Sequence, residues 1–164
     1  MRGASSRVNN KIFVASRKGD ALIARRLTVT SRRLLTTLMI HSSSLEIFLL
    51  GGEEMNRLKR TFYPKGSGLA NVLAFPPPPN FPDPEARLRS LGQIYVNRDL
   101  CRKDYPYLAF LLLHGLLHLL GYEHVGKSDI LKMEKREKEL WQTMRITSSR
   151  GEQELFPGTR GARN

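Results

Sequence analysis

The most constraining feature of this sequence is the segment His-Gly-Leu-Leu-His-Leu-Leu-Gly-Tyr-Glu-His at residues 114–124. His114 and His118 are four residues apart, so on a helix both imidazoles project from one face at neighbouring turns. Gly121 can adopt the left-handed conformation that ends a helix, and the turn brings His124 back towards the same face. Three imidazoles can then converge on one metal ion and leave the fourth tetrahedral position open, as catalytic sites do.

The distribution of histidines favours a metal site over ordinary core packing. Three of the four histidines fall within these eleven residues, and burying two imidazoles in a leucine-rich helix is costly without partners. The fourth, His41, stands in a Ser-rich turn and is expected to be incidental. The spacing His-x3-His-x2-Gly-x2-His is shared with metzincin proteases, but those enzymes need a glutamate directly after the first histidine. This chain has Gly115 there, which disfavours a peptidase.

Composition restricts the fold and the cellular setting. The 164 residues, 40% of them hydrophobic, suffice for one domain with a real core. The single cysteine, Cys101, excludes a disulfide framework and a cysteine-rich zinc site, and it fits a reducing compartment such as the cytoplasm. No uncharged apolar run reaches the roughly 18 residues of a transmembrane helix. The net charge of +12 favours a polyanionic partner such as nucleic acid.

The N-terminal segment has two interpretations. Residues 1–44 are rich in Arg and Ser with Asp20 as the only acid, a composition typical of a mitochondrial transit peptide. The same segment contains a strand pattern at residues 12–14 and apolar residues at helical spacing across residues 21–40. We therefore expect it to be part of the fold and leave a targeting role open.

Hydrophobic patterning predicts the element order β-α-β-α-β-β-α-α. Strands are expected at residues 12–14, 45–50, 72–75 and 91–97, and helices at residues 21–40, 53–62, 107–120 and 127–144. This order predicts an α+β domain in which helices cover a small mixed sheet of about four strands, with the metal site at the end of a central helix. Residues 1–146 form this single domain, and residues 147–164 are expected to be a basic, flexible tail. The last helix carries an apolar stripe, Ile130, Met133, Leu140, Trp141 and Met144, that we expect to be buried.

The motif residues resemble the YbeY family of single-strand-specific endoribonucleases, which act as rRNA maturation factors. The family signature has the form His-Gly-x-Leu-His-Leu-x-Gly-Tyr-Asp-His, and the chain matches it with Glu123 in place of the aspartate. Residues 53–58 resemble the helix after the family's second strand, residues 71–76 its Asp/Asn-Val-Leu-Ser-Phe-Pro strand, and residues 91–94 its Leu-Gly-Asp-Ile strand. The resemblance covers residues 45–143.

The resemblance implies a function and a set of site residues. One zinc ion would be held by His114, His118 and His124, and the reaction would be phosphodiester hydrolysis. The partners would be single-stranded ribosomal RNA, bound in a basic cleft, and the ribosomal subunit. Glu123 is a candidate general base, or it orients a metal ligand by contacting it on the side away from the metal.

Some positions depart from the family pattern. The family's arginine after the aromatic residue of its second helix aligns with Tyr63, so Arg60 and Lys65 are the candidates to replace it. Three further positions differ from the family's residues: Ala70, Ala74 and Gln93. Two alternatives to the nuclease therefore stay open, a zinc-stabilised ribosome-binding factor with weak or absent activity and, less favoured, a metallopeptidase.

Overall fold

The computed structural model describes residues 9–65, 71–79, 87–100 and 104–145. Four strands and four α-helices follow one another in the predicted order. The strands are β1 (Lys11–Ala15), β2 (Ser43–Leu50), β3 (Val72–Phe75) and β4 (Arg89–Asn97). The helices are α1 (Ala21–Thr37), α2 (Gly52–Phe62), α3 (Tyr105–Leu119) and α4 (Lys127–Met144), and a 3-10 turn, Arg98–Leu100, follows β4. The predicted tail at residues 147–164, Ala70 and Cys101 lie outside the described residues.

The four strands form one mixed sheet in the order β1-β2-β4-β3. β1 pairs with β2 and β2 with β4 in parallel, whereas β3 and β4 are antiparallel. The sheet therefore combines a parallel half, in which α1 connects β1 to β2, with an antiparallel edge formed by β3. The predicted α+β class and the mixed four-stranded sheet are confirmed.

The core lies between the sheet face that α1 and α3 cover and the helix α4, which packs on α1 and α3. Along β2, side chains alternate between buried and more exposed positions, and Leu45, Ile47 and Leu49 are buried. Helix α3 is apolar on nearly all sides, with fully buried residues such as Leu112 and Leu116, because it contacts β3, β4, α1 and α4. It is the central helix that the sequence predicts.

Both ends of α3 are defined by local chemistry. At the start, the side chain of Asp104 accepts a hydrogen bond from the backbone N–H of Tyr107, and Pro106 occupies the first turn. At the end, Gly121 has a φ of +91°, the left-handed conformation that the sequence predicts. The backbone N–H of Tyr122 then donates to the carbonyl of Leu117 at 3.1 Å, which turns the chain back towards α3.

The apolar stripe of α4 is buried over most of its length. Met133, Leu140, Trp141 and Met144 belong to the core, as predicted. The prediction for Ile130 is wrong, because this side chain is 36% exposed. It lies in the first turns of α4, where other apolar side chains are also exposed to solvent, so the helix enters the core only after this point.

Candidate metal centre

Three histidines converge at the C-terminal end of α3. The Nε2 atom of His114 lies 3.1 Å from Nε2 of His118 and 3.4 Å from Nε2 of His124. One nitrogen from each ring lies within 4.8 Å of the others. Three imidazole nitrogens bound at about 2.0–2.1 Å to a tetrahedral ion are roughly 3.3–3.4 Å apart, so the cluster could hold one metal ion.

The other ring nitrogens of two histidines are fixed by hydrogen bonds. Nδ1 of His118 donates to the backbone carbonyl of Tyr122 at 2.9 Å, and Nδ1 of His114 donates to the Glu137 carboxylate at 2.6 Å. A neutral imidazole that donates from Nδ1 carries its lone pair on Nε2. His114 and His118 therefore direct two lone pairs at each other, an arrangement that a cation between them stabilises.

The electrostatic environment keeps His118 in the form that binds a metal. Burial lowers the pKa of His118, and the nearby rings of His114 and His124 lower it further. Only the neutral imidazole can donate a lone pair to a cation. His118 is therefore available as a ligand over a wider pH range than an exposed histidine.

Glu137 is the residue of this centre that the sequence did not predict. Its side chain comes from α4 and is 4% exposed, and it contacts His114 across 23 positions of sequence. A carboxylate behind a ligating histidine fixes the tautomer and the orientation of the ring. The sequence did contain a signal for its burial. Glu137 lies four residues after Met133 and three before Leu140, so it is a charged residue on the otherwise apolar, buried face of α4.

A cavity of about 310 Å³ opens beside His114, between α2, β3 and α3. Lys59 of α2 is the basic residue that lines it, together with Asn71 and apolar side chains such as Phe110. The sequence analysis named two other basic residues, Arg60 and Lys65, as candidates to replace the family's arginine. Lys59 therefore contributes a positive charge from α2 to the lining of the cavity next to the histidines.

The residues considered as substitutes for the family's arginine lie elsewhere. Arg60 and Lys65 are exposed and do not line this cavity. The ring of Tyr63 packs against Phe75, with 6.3 Å between ring centroids. Whether Arg60 or Lys65 acts in the reaction stays a prediction.

Glu123 and Gln93, two further positions that the sequence analysis singled out, have ordinary structural environments. Glu123 is exposed in the turn that leads to His124, and its catalytic role stays a prediction. Gln93 donates to Glu46 at 2.7 Å and accepts from the Tyr95 hydroxyl at 2.9 Å. The amide of Gln93, at the position of the family's aspartate, is thus held within the sheet.

Gly115 faces the sheet and not the histidines. A Cβ atom at this position would lie 3.0 Å from a methyl group of Ile94 and 3.1 Å from one of Val72. The position at which metzincins carry their glutamate is therefore used here for close packing of α3 on β3 and β4.

No helix among the described residues combines the length and apolarity that crossing a membrane requires.

Fold and site together define a small α+β domain with a three-histidine centre suited to one metal ion. The model of the family described as "Endoribonuclease YbeY" matches residues 9–145, and the chain belongs to this family.

Three proteins named Endoribonuclease YbeY illustrate the similarity. The chain is 33% identical to that of Myxococcus xanthus over 128 residues, which are 71% of this chain and 42% of the relative. For Coxiella burnetii the identity is 34% over 107 residues, 59% of this chain and 66% of the relative. For Geobacter metallireducens it is 27% over 145 residues, 80% of this chain and 93% of the relative. The chain thus spans less than two thirds of the first two relatives.

Proposed function

We propose that this protein is a zinc-dependent endoribonuclease that cleaves single-stranded ribosomal RNA in the cytoplasm, during rRNA maturation and ribosome biogenesis. The observation that carries the proposal is the convergence of three Nε2 atoms in a member of the YbeY family. The relatives named above are endoribonucleases by name, and a net charge of +12 suits a polyanionic substrate.

Zinc is the metal that best fits the ligand set. Three neutral imidazoles with a fourth position left open are typical of catalytic zinc, whereas structural zinc sites are closed by four protein ligands. The Nε2 separations of 3.1 and 3.4 Å match the expected spacing. When bound, the ion supplies a Lewis acid and lowers the pKa of a bound water to about 7.

The side chains of the protein bind and orient the reacting groups. Glu137 holds the ring of His114 with Nε2 directed at the metal position. Lys59 lines the adjoining cavity, where its ammonium group would bind a phosphate oxygen and stabilise charge that develops on the phosphorus centre. Glu123, next to His124, is the candidate to accept the proton of the attacking water, with Arg60 and Lys65 as further candidates for phosphate contact.

A cleavage assay tests this function directly. Zinc-loaded wild-type protein, His114→Ala and His41→Ala are incubated with single-stranded rRNA fragments, and the products are separated on a denaturing gel. The metal content of each sample is measured in parallel. His41→Ala is the matched control, because His41 is exposed and lies outside the histidine cluster.

The expected result is cleavage with one bound zinc for the wild type and His41→Ala, and neither property for His114→Ala. One bound zinc without cleavage in the wild type would instead favour the ribosome-binding factor. Full zinc occupancy in His114→Ala would overturn the ligand assignment.

A further inference from the structure

A second cavity, of about 460 Å³, lies near the opposite end of α3 from the histidines. It is open to solvent and is lined by α1, the first turn of α3 and the residue that follows α4. Its lining includes four arginines and no acidic residue: Arg25, Arg26, Arg33 and Arg145. We call it the arginine pocket. Tyr105, in its lining, precedes His114 by nine residues, which is about 13 Å along the helix axis.

Two of the four guanidinium groups are held in place by the fold. The guanidinium of Arg26 stacks on the ring of Tyr105, 3.6 Å from the ring centroid. The Tyr105 hydroxyl is in turn 2.6 Å from the hydroxyl of Thr30. Arg33 donates one hydrogen bond to the carbonyl of Met144 at 2.8 Å, and within the described part of the chain most of its five N–H groups remain for a ligand. Such fixed groups lose little conformational freedom when a ligand binds.

Among the described residues, no acid balances the charge of the arginine pocket. Helix α1 contains four arginines and no acidic residue. Within the described part of the chain, no carboxylate forms an ion pair with any of the four pocket arginines. The cavity beside the histidines, by contrast, has Lys59 as its basic lining residue. Much of the positive charge that would attract a polyanion thus lies away from the metal centre.

We propose that the arginine pocket binds the phosphate backbone of a second segment of the RNA, apart from the segment at the metal centre. Guanidinium groups bind phosphates through paired hydrogen bonds, and contacts to phosphates position a protein on RNA without reading its sequence. Exposed Leu22 and Val29 also line the pocket and offer apolar surface to a sugar or base. The choice of RNA as the ligand rests on the proposed function.

RNA fits the arginine pocket better than an acidic protein segment does. Three of the four arginines are spread over two turns of α1 and the fourth is the residue that follows α4, so they suit a ligand that presents charge along its whole length. Every nucleotide brings a phosphate, whereas an acidic peptide must place several carboxylates at matching positions. An acidic protein partner is the alternative that the experiment must separate.

The test compares two double variants that each remove two positive charges. Arg25→Gln/Arg145→Gln alters the arginine pocket but spares Arg26 and Arg33, which contact the fold. Arg32→Gln/Lys135→Gln is the matched control, because both residues are exposed on α1 and α4 and neither lines the pocket. Binding of a fluorescent rRNA fragment of folded structure is measured by anisotropy over a series of salt concentrations.

We expect the pocket variant to bind the fragment about tenfold more weakly, with a salt dependence reduced by about one to two phosphate contacts. The control should lose about twofold. The comparison of the two double variants measures binding and not cleavage, so a failure of the nuclease assignment leaves this result readable.

Two outcomes would overturn the inference. Equal losses in both double variants would mean that diffuse surface charge, and not the arginine pocket, attracts RNA. A pocket variant that binds RNA normally but no longer binds polyglutamate would assign the pocket to an acidic protein partner.

Discussion

At the scale of single residues, the histidine centre depends on an acid that is far away in sequence. The Glu137 carboxylate is buried in the stripe of α4 that packs on α3, and its described partner is Nδ1 of His114. Burying a carboxylate without a partner costs several kcal/mol, so the pair stabilises both side chains. The same contact concentrates negative charge behind the ring, which makes Nε2 a better donor to a cation.

Substitution of Glu137 should therefore weaken metal binding while all three ligands remain. We expect Glu137→Gln, which keeps a hydrogen-bond acceptor but loses the charge, to lower zinc affinity about tenfold. Glu137→Ala should approach a hundredfold loss. Competition with a chromophoric chelator measures both affinities. Glu139→Gln is the control, since Glu139 is exposed on the same helix and the described partner of its carboxylate is Arg136. Wild-type affinity in both Glu137 variants would contradict this role.

The three histidines could be predicted from sequence and Glu137 could not, for a physical reason. His114, His118 and His124 lie on one helix and the turn that ends it, so local geometry alone brings them together. Glu137 and Lys59 reach the centre from other helices, and their approach depends on how α4 and α2 pack against α3. Helical periodicity indicates which face of a helix is buried but not which residue lies opposite.

At the scale of elements, Gly92 fixes the relation between β3 and β4. It lies beside an irregularity in the pairing of β2 with β4, and its φ is +113°. A Cβ atom there would be 2.3 Å from the carbonyl oxygen of Phe75 and 3.0 Å from Cα of Pro76. The backbone of β3 can thus approach β4 this closely only because residue 92 has no side chain.

Gly92→Ala should lower the free energy of unfolding by about 3 kcal/mol, since backbone strain and a clash with main-chain atoms add. Gly19→Ala is the matched control, because Gly19 has a φ of +106° but open space around it. It should lose only about 1 kcal/mol from strain. Urea unfolding of both variants measures the difference, and equal losses would show that the close approach of β3 contributes nothing.

The order of elements could be predicted, but their arrangement in the sheet could not. Alternation along β2 and the capping signals of α3 are local, so the sequence contains them directly. The insertion of β4 between β2 and β3 depends on pairing over long sequence distances, as in the register of Ile47 with Ile94. Apolar strands of similar length offer several pairings, and the packing of α3 across β3 and β4 selects among them.

At the scale of the whole molecule, the histidine centre joins α3, the turn after it and α4. Two of the three histidines belong to α3, the third to the turn before α4, and the carboxylate behind His114 to α4 itself. The turn is exposed at Glu123 and His124, so few apolar contacts hold it. A metal ion bound only by the folded arrangement must stabilise the fold as a whole.

Zinc should therefore raise the unfolding temperature of the wild type in proportion to the logarithm of its free concentration. At a hundredfold excess over Kd, the gain in free energy of unfolding should be about 2.7 kcal/mol, and a chelator should reverse it. His114→Ala should show no such gain, while His41→Ala should behave as the wild type. The stabilisation by zinc should weaken on acidification, because protonated imidazoles do not bind metal. Since the pKa of His118 is lowered, this histidine is protonated only at a lower pH than an ordinary histidine. Thermal unfolding followed by circular dichroism, with and without zinc, measures these differences. An equal gain in His114→Ala would place the stabilising metal at other residues of the chain.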